Sequence, residues 1–244
     1  MKKIFTMAAV ALFMITSCTG DDDNNTNNSN SDVILVTKMV ETDEFEDEYI
    51  SNYFYDGTKV TKITHNDGSE QRFTYTGDKL TTIEHYEDGD LIQQDNFTYN
   101  ASGQLVTFVM LDYDFDWGTR TEFTYNNNGT VNTAEYTGNT ENQDLFNYNG
   151  TLTIVDNNIV SINSGGETIT YTFDDKRDPF SNITSYMSVI YAYQEGGFNN
   201  VTSYNSFDES STITYTYNNS NFPATAVEDF GDGETYTTEF YYNN

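Results

Sequence analysis

An aromatic-x-aromatic triplet recurs nine times between residues 53 and 242, and no other feature of this 244-residue chain limits its fold so tightly. The copies are Tyr53-Phe54-Tyr55, Phe73-Thr74-Tyr75, Phe97-Thr98-Tyr99, Phe123-Thr124-Tyr125, Phe146-Asn147-Tyr148, Tyr171-Thr172-Phe173, Tyr191-Ala192-Tyr193, Tyr215-Thr216-Tyr217 and Phe240-Tyr241-Tyr242, with third residues 20 to 26 apart. In extended backbone, residues i and i+2 share a face, so both rings of a triplet point one way and the central residue points the other. Polar turns follow all but the last triplet, as at Asp56-Gly57, Thr76-Gly77-Asp78, Ser102-Gly103, Asn128-Gly129 and Asn149-Gly150, where glycine supplies the positive φ of a tight hairpin. An apolar residue then comes five to seven positions past the triplet, usually with a second three further on: Val60/Ile63, Leu80/Ile83, Leu105/Phe108, Val131/Ala134, Phe180/Ile183 and Phe198/Val201. A second turn, clearest at Asp67-Gly68, Asp88-Gly89, Gly165-Gly166 and Gly231-Asp232-Gly233, brings the chain back. Each unit reads strand, turn, strand, turn.

The expected fold class is therefore all-β: an antiparallel meander of about nine repeated β-hairpins, forming a curved or coiled repeat sheet with one aromatic and one hydroxylated face. Helix competes poorly. Past residue 17 the chain holds five Ala and seven Leu, while Thr, Tyr, Phe, Ile and Val fill the candidate strands. No window outside the N-terminal segment keeps a 3.6-residue apolar period, so no helix is predicted there. The stretch from Val155 to Glu167 fits the repeat least well, and Pro223 is expected at a strand start or edge.

The triplets followed by Asp or Asn and a Gly turn, as in Tyr53-Phe54-Tyr55-Asp56-Gly57, resemble YD or Rhs-type repeats. Phe173-Asp174-Asp175-Lys176-Arg177-Asp178-Pro179-Phe180 is similar to a variant found in Bacteroidota lipoproteins. The likeness covers about residues 45 to 244 and implies a sheet of hairpins, curved or coiled as in the shells that long Rhs arrays build around cargo. Nine irregular units with no appended toxin domain depart from that pattern.

Lys2 and Lys3 followed by the apolar run Ile4 to Ile15 read as the n-region and h-region of an export signal, the run being too short to span a bilayer, which takes about 20 residues. Ile15-Thr16-Ser17-Cys18 then resembles the lipobox of a bacterial lipoprotein, which implies cleavage before Cys18 and acylation of that cysteine. Asp21-Asp22-Asp23 and the Asn/Ser/Thr tract after it are similar to the acidic export signal of Bacteroidota surface lipoproteins, and also suit a flexible tether. The organisation read from this is a signal peptide at 1–17, a lipidated Cys18 with an acidic, Asn-rich tether at 18–32, and one β-repeat domain at 33–244. Cys18 is the single cysteine, so no disulfide is available and stability must come from packing.

The formal charge is -29, from 39 acidic and 10 basic residues, and no cluster of Lys or Arg is present. That balance excludes nucleic acid as a partner and disfavours anionic surfaces. The partners left are the outer membrane through the lipid on Cys18, a glycan, or a surface protein.

Four groups of residues are candidates for chemistry. His65 and His85 each follow an Ile by two residues and lie one repeat apart; with no third ligand for zinc, they read as polarity repeated on the wet face. Asp112, Asp114 and Asp116 resemble the first half of an EF-hand loop and are candidate calcium ligands, although Trp117 stands at the turn glycine and Phe123 at the bidentate Glu position. Their alternation also fits a strand with those acids on one face and Tyr113, Phe115 and Trp117 on the other. Tyr113 and Trp117, the latter the single tryptophan, are candidate ligand-binding residues that could stack on sugar rings. The acidic stretches Glu41 to Glu48, Glu87-Asp88 and Asp229 to Glu234 could bind calcium or a basic partner, and read mainly as solvated, aggregation-resistant edges. No nucleophile-elbow serine, phosphate-cradling loop or reactive thiol is present, so no catalytic residue is assigned. The sequence thus points to a non-enzymatic, outer-membrane, surface-exposed lipoprotein serving as a binding, adhesion or envelope-structural module. The alternative is a carbohydrate-binding accessory of a polysaccharide-capture system.

Overall fold

The computed structural model describes residues 33–231 and 233–243; Cys18, the signal segment and the tether lie outside them. Sixteen strands follow one another: β1 (Val36–Thr42), β2 (Glu48–Asp56), β3 (Lys59–His65), β4 (Glu70–Thr76), β5 (Lys79–Glu87), β6 (Asp90–Tyr99), β7 (Leu105–Asp112) and β8 (Trp117–Tyr125) in the first half. The second half holds β9 (Thr130–Gly138), β10 (Leu145–Val155), β11 (Asn158–Ser164), β12 (Glu167–Arg177), β13 (Asn199–Asn205), β14 (Ser210–Tyr217), β15 (Pro223–Asp229) and β16 (Thr235–Tyr242). Every strand pairs antiparallel with its sequence neighbours, and β16 pairs back onto β1, from Val36 opposite Tyr242 to Thr42 opposite Thr237, closing a barrel.

Closure overturns the expected curved or coiled repeat sheet, and with it the YD or Rhs-type reading. An open coil of hairpins would leave two free edges, whereas here pairing of the first strand with the last removes them. The stretch that fitted the repeat least, Val155 to Glu167, holds the strand β11, which carries a bulge at Val160 against β10, and Pro223 opens β15.

Three of the i, i+3 apolar pairs, Val60/Ile63, Leu80/Ile83 and Leu105/Phe108, have a cause that simple alternation misses. Tyr55 pairs with Val60 while Phe54 pairs with Lys62, so Thr61 is an extra residue, a β-bulge. The same shift puts Thr81 between Leu80 and Ile83 and Val106 between Leu105 and Phe108. A bulged residue restores the inward phase, so residues three apart both face the interior. Thr61 and Thr81 donate their side-chain hydroxyls to the carbonyls of Phe54 and Thr74 at 3.2 and 3.0 Å, which satisfies the local break in the ladder. Bulges also sharpen strand twist, which helps the sheet curl shut.

Sixteen strands enclose a lumen too wide for short side chains to fill, since about eight is the number at which they just meet. The aromatic content answers this. Phe97, Phe108 and Phe123 are buried and face inward with Tyr53, Tyr75 and Tyr99 packed against them, each buried ring contributing about 1.5–3 kcal/mol. The central residues Thr74, Thr98, Thr124, Thr172 and Thr216 stand outside in water. The outer wall also carries Lys62, Arg72, Glu70, Arg120 and Glu122 in ion pairs, so it is built to face solvent rather than lipid tails.

Side chains alone still do not fill the lumen, and the connection from β12 to β13 supplies the rest. It enters the barrel and forms α1 (Tyr186–Tyr193), so the triplet Tyr191-Ala192-Tyr193 is helical, not a strand, and eight hairpins stand where nine were expected. Phe180 and Ile183, expected on a strand, are buried in the segment leading into the helix. Apart from Ser188, α1 is built of apolar and aromatic residues because it lies inside the barrel rather than on its surface, which erases the one-sided period by which a surface helix is recognised. Ser185, at φ +63°, ties its start to β5: its Oγ accepts from the Leu80 N–H at 3.0 Å and donates to the Asp78 carbonyl. Beyond Ser185, the helix rests on Phe108 of β7 through Tyr193 and on Tyr125 of β8 through Tyr191, with ring centroids 5.3 and 5.7 Å apart.

Candidate functional site: an acid-lined cavity in the mouth of the barrel

The two ends of the barrel differ. At one end lie the triplet-side turns, the start of α1 and the meeting of the described termini, where Asn243 bonds both Leu35 and Val33. At the other end lie the loops 43–47, 66–69, 88–89, 113–116, 139–144, 165–166 and 206–209 together with residues 230–231 and 233–234, which carry many acids and no Lys or Arg. Because α1 leans on β5 to β8, the space beside it, toward β9 to β16 and β1, is left open. This is a cavity of about 770 Å3 at the acidic end.

Six glutamates line it: Glu41 from β1, Glu135 from β9, Glu195 just past α1, Glu209 ahead of β14, Glu228 from β15 and Glu234 ahead of β16. Tyr148, Tyr171, Tyr193, Tyr204 and Tyr236 share the lining with Met110, Ile162, Ile169 and Ile213, and no Lys, Arg or His belongs to it among the described residues. Burial pushes Glu41 and Glu195 up to about 7 and raises Glu228 as well, because an ion in this space has lost water without gaining a cation. Glu195 is enclosed by the surrounding protein yet still touches the cavity space, so a small guest can reach it. Neighbouring Glu228, which accepts a hydrogen bond from the Ser211 hydroxyl, raises Glu195 further. Glu135 accepts from Tyr148 at 2.6 Å and Asn147 at 2.8 Å.

Against the β2–β6 wall the lumen holds a second polar group, and it contains both histidines. They face inward, not onto the wet face expected of them. His65 stacks on Tyr49 with ring centroids 4.9 Å apart and has Nδ1 3.0 Å from the Ser51 hydroxyl; its pKa is lowered, mainly by burial. His85 Nε2 lies 2.9 Å from Oδ2 of Asp95, which is fully buried and also accepts from Gln93 at 2.9 Å and from the Tyr193 hydroxyl. Asp95 thereby fastens the last residue of α1 to the wall. The Gln71 side-chain amide lies 3.3 Å from Nδ1 of the His85 ring.

The remaining sequence candidates lie at the rim. Residues 113–116 are a hairpin turn, not the alternating strand expected. Asp112 spends its carboxylate on the N–H groups of Asp114 and Phe115, both at 3.0 Å, while Asp116, at φ +47°, turns to the N–H and hydroxyl of Thr140. Among the described residues, no three His, Cys, Asp or Glu side chains gather as a metal site requires. Tyr113 and Trp117 are exposed at this turn with Phe115 between them. Phe45 and Phe207 are exposed on two other loops of the same end. Sequence reasoning named Glu41 and Glu234 only as ends of acidic stretches read as solvated edges, whereas both line the cavity; it missed Glu135, Glu195, Glu209 and Glu228, because the residues gathered there come from strands far apart in the chain and only closure of the barrel brings them together.

No family model matches the chain, and no curated protein sequence matches it. Among solved structures it is similar to a porin-like protein from Bacteroides vulgatus ATCC 8482, at 11% identity and a TM-score of 0.48, covering 86% of this chain and 99% of that one. It is also similar to a porin-like protein from Bacteroides uniformis ATCC 8492, at 15% identity and a TM-score of 0.40, covering 85% and 96% respectively. Identities this low carry no function across.

Proposed function

We propose that this chain is a non-enzymatic, lipid-anchored binding protein of the outer membrane that holds a small hydrophilic ligand in the mouth of its barrel. The observation that carries the reading is the polarity of the lumen: aromatic and plugged at one end, glutamate- and tyrosine-lined and open at the other. Barrel mouths are favoured places for such sites, because wall strands preset many side chains around one volume. Residue 33 leaves the barrel at the plugged end. A lipid on Cys18 would hold that end toward the membrane and turn the mouth away from it, the orientation a capture protein needs. The solvent-facing wall supports attachment through the lipid rather than insertion of the barrel.

A second reading, capture of a carbohydrate on the rim, is favoured by the exposed Phe45, Phe115, Trp117 and Phe207. Aromatic faces standing free in water at one end suit stacking on sugar rings.

Native mass spectrometry of the protein recovered from its own cell envelope tests the main reading. Ser164, at the end of β11, lines the cavity; a small-molecule mass on the wild type, absent from a Ser164→Trp variant that blocks the space, is the expected result. No retained mass on either protein would count against the lumen, and binding of an oligosaccharide lost only in Trp117→Ala would move the site to the rim.

A further inference from the structure

We propose that the ligand of the mouth cavity is an extended alkyl polyamine, its ammonium groups taken by Glu195, Glu228 and Glu41 and its methylene spacers lying along the cavity's isoleucine and tyrosine side chains. The inference rests on the proposed function above and specifies the ligand class for that site.

Charge is the first reason. Among the described residues, the ionisable groups that line the cavity are glutamates and tyrosines, so Glu195, Glu228 and Glu41 have no Lys, Arg or His beside them in it. The carboxylates of Glu195 and Glu41 also accept no hydrogen bond among the described residues; burial dominates their titration, with only Glu228 adding repulsion at Glu195. A buried carboxylate with neither cation nor donor is costly to keep, and a guest bearing ammonium donors would satisfy it.

Spacing is the second reason, and it separates an organic cation from a metal ion. A divalent cation needs its oxygens converged on one point, and the described residues form no such cluster. Here the acids are distributed: Glu195 is coupled to Glu228, while Glu41 approaches from β1. Distributed carboxylates match charges held apart by alkyl chain. Ile162, Ile169, Ile213 and Ala226 give the intervening methylenes an apolar surface, and the electron-rich faces of Tyr171 and Tyr204 suit ammonium groups. A volume of about 770 Å3 leaves room for such a chain with several waters.

Proton release follows as a signature. Glutamates held near 7 are partly protonated at neutral pH, and an arriving ammonium group favours their ionised form. Binding should therefore expel protons and tighten as pH rises from about 6 to about 8.

The test is isothermal titration of the detergent-solubilised full-length protein with spermidine, in two buffers of different ionisation heat. Wild type is compared with Glu195→Gln/Glu228→Gln and with Asp88→Asn/Asp114→Asn, whose positions lie outside the cavity; thermal melts verify folding. Support is binding with proton release that weakens about tenfold or more in the glutamate variant and little in the rim variant. Absence of binding by folded wild type overturns the proposal, as does equal binding by the glutamate variant. Calcium or an oligolysine peptide binding in place of spermidine also overturns it. In each of those cases, a small-molecule mass lost on Ser164→Trp would leave the broader binding function standing.

Discussion

The hydroxyl of Tyr99 on β6 donates to the carbonyl of Leu80 on β5 at 2.7 Å, just beyond the point where the ladder between the two strands stops at Thr82 opposite Asn96. The arrangement recurs. Tyr55 reaches Val36 and Tyr242 reaches Pro223, both at 2.6 Å and both across 19 residues, again at the open end of a strand pair. In these three triplets the third position is therefore a fastener as well as a core ring. Burial raises the Tyr99 phenol to about 12, so the donating form persists at any physiological pH.

Tyr99→Phe should cost about 1 kcal/mol, the worth of one hydrogen bond, because the ring is kept and only the fastener goes. Phe97→Ala, two residues away at the first triplet position, should cost about 3–5 kcal/mol, since a buried ring is replaced by a cavity. Urea unfolding of both proteins measures the contrast. Equal losses would mean that the first and third positions do the same job.

The triplets made the strands, their spacing and their inward rings legible in sequence, and the i, i+3 pairs announced the bulges without naming them. Closure was not legible, because it depends on β1 meeting β16, and a meander reads the same open or shut until that pairing forms. The helix hid for a different reason: Tyr191-Ala192-Tyr193 carries the strand signature, and a helix inside a barrel shows no polar face. The histidines misled because Ile63-Thr-His65 and Ile83-Glu-His85 place each His on the same face as its Ile, and that face is the lumen. A sixteen-strand barrel is wide enough to have room for polarity on its inner face. The glutamates of the mouth share that cause.

Asp95 should be the point at which α1 comes loose. Replacing it with Ala strands His85, Gln93 and the Tyr193 hydroxyl in a buried site, a loss of about 3–5 kcal/mol by analogy with broken buried pairs. Asp95→Asn keeps acceptor oxygen and should lose less. Hydrogen exchange gives the specific readout: amides of residues 186–193 should lose protection before those of β2 and β3. Uniform loss across the barrel would assign Asp95 a general role instead.

Gly197 marks the place where the chain returns from α1 to the wall. A Cβ there would come 2.2 Å from Asn158 Oδ1 and 2.8 Å from the Asn158 backbone. The contact lies within a tight seam, where Ile159 N–H bonds Gly196 at 3.1 Å and Asn199 N–H bonds the Asn158 side chain at 3.0 Å. Gly197→Ala should therefore destabilise the fold by about 1–3 kcal/mol, as overpacking does. Gly231→Ala, in a loop with nothing near its Cβ position, should act only through its φ of +82° and cost less. Thermal melts of the two variants test the order, and a larger shift for Gly231→Ala would reverse it.

Stability should fall as pH rises from about 4 to 7, against the usual behaviour of carboxylates, and Asp178 is the main reason. Its carboxyl is sealed in the core ahead of α1, where it accepts from the Phe180 N–H at 2.9 Å and the Tyr186 hydroxyl at 2.6 Å. Burial outweighs those bonds and lifts its pKa from 3.8 to about 7. Below the lower value the group is protonated in both folded and unfolded chains and imposes no penalty. Between the two values the unfolded chain ionises first, so the folded state loses about 1.4 kcal/mol for each pH unit crossed, and above about 7 the full penalty is in place. Glu41 and Glu195 act in the same direction. Urea unfolding should accordingly give a higher midpoint at about pH 5.5 than at about pH 8. Asp178→Asn keeps an oxygen for both donors and cannot ionise, so it should flatten that dependence and exceed wild type at about pH 8. A variant less stable than wild type at that pH, with an unchanged slope, would show that the Asp178 charge is accommodated in the core after all.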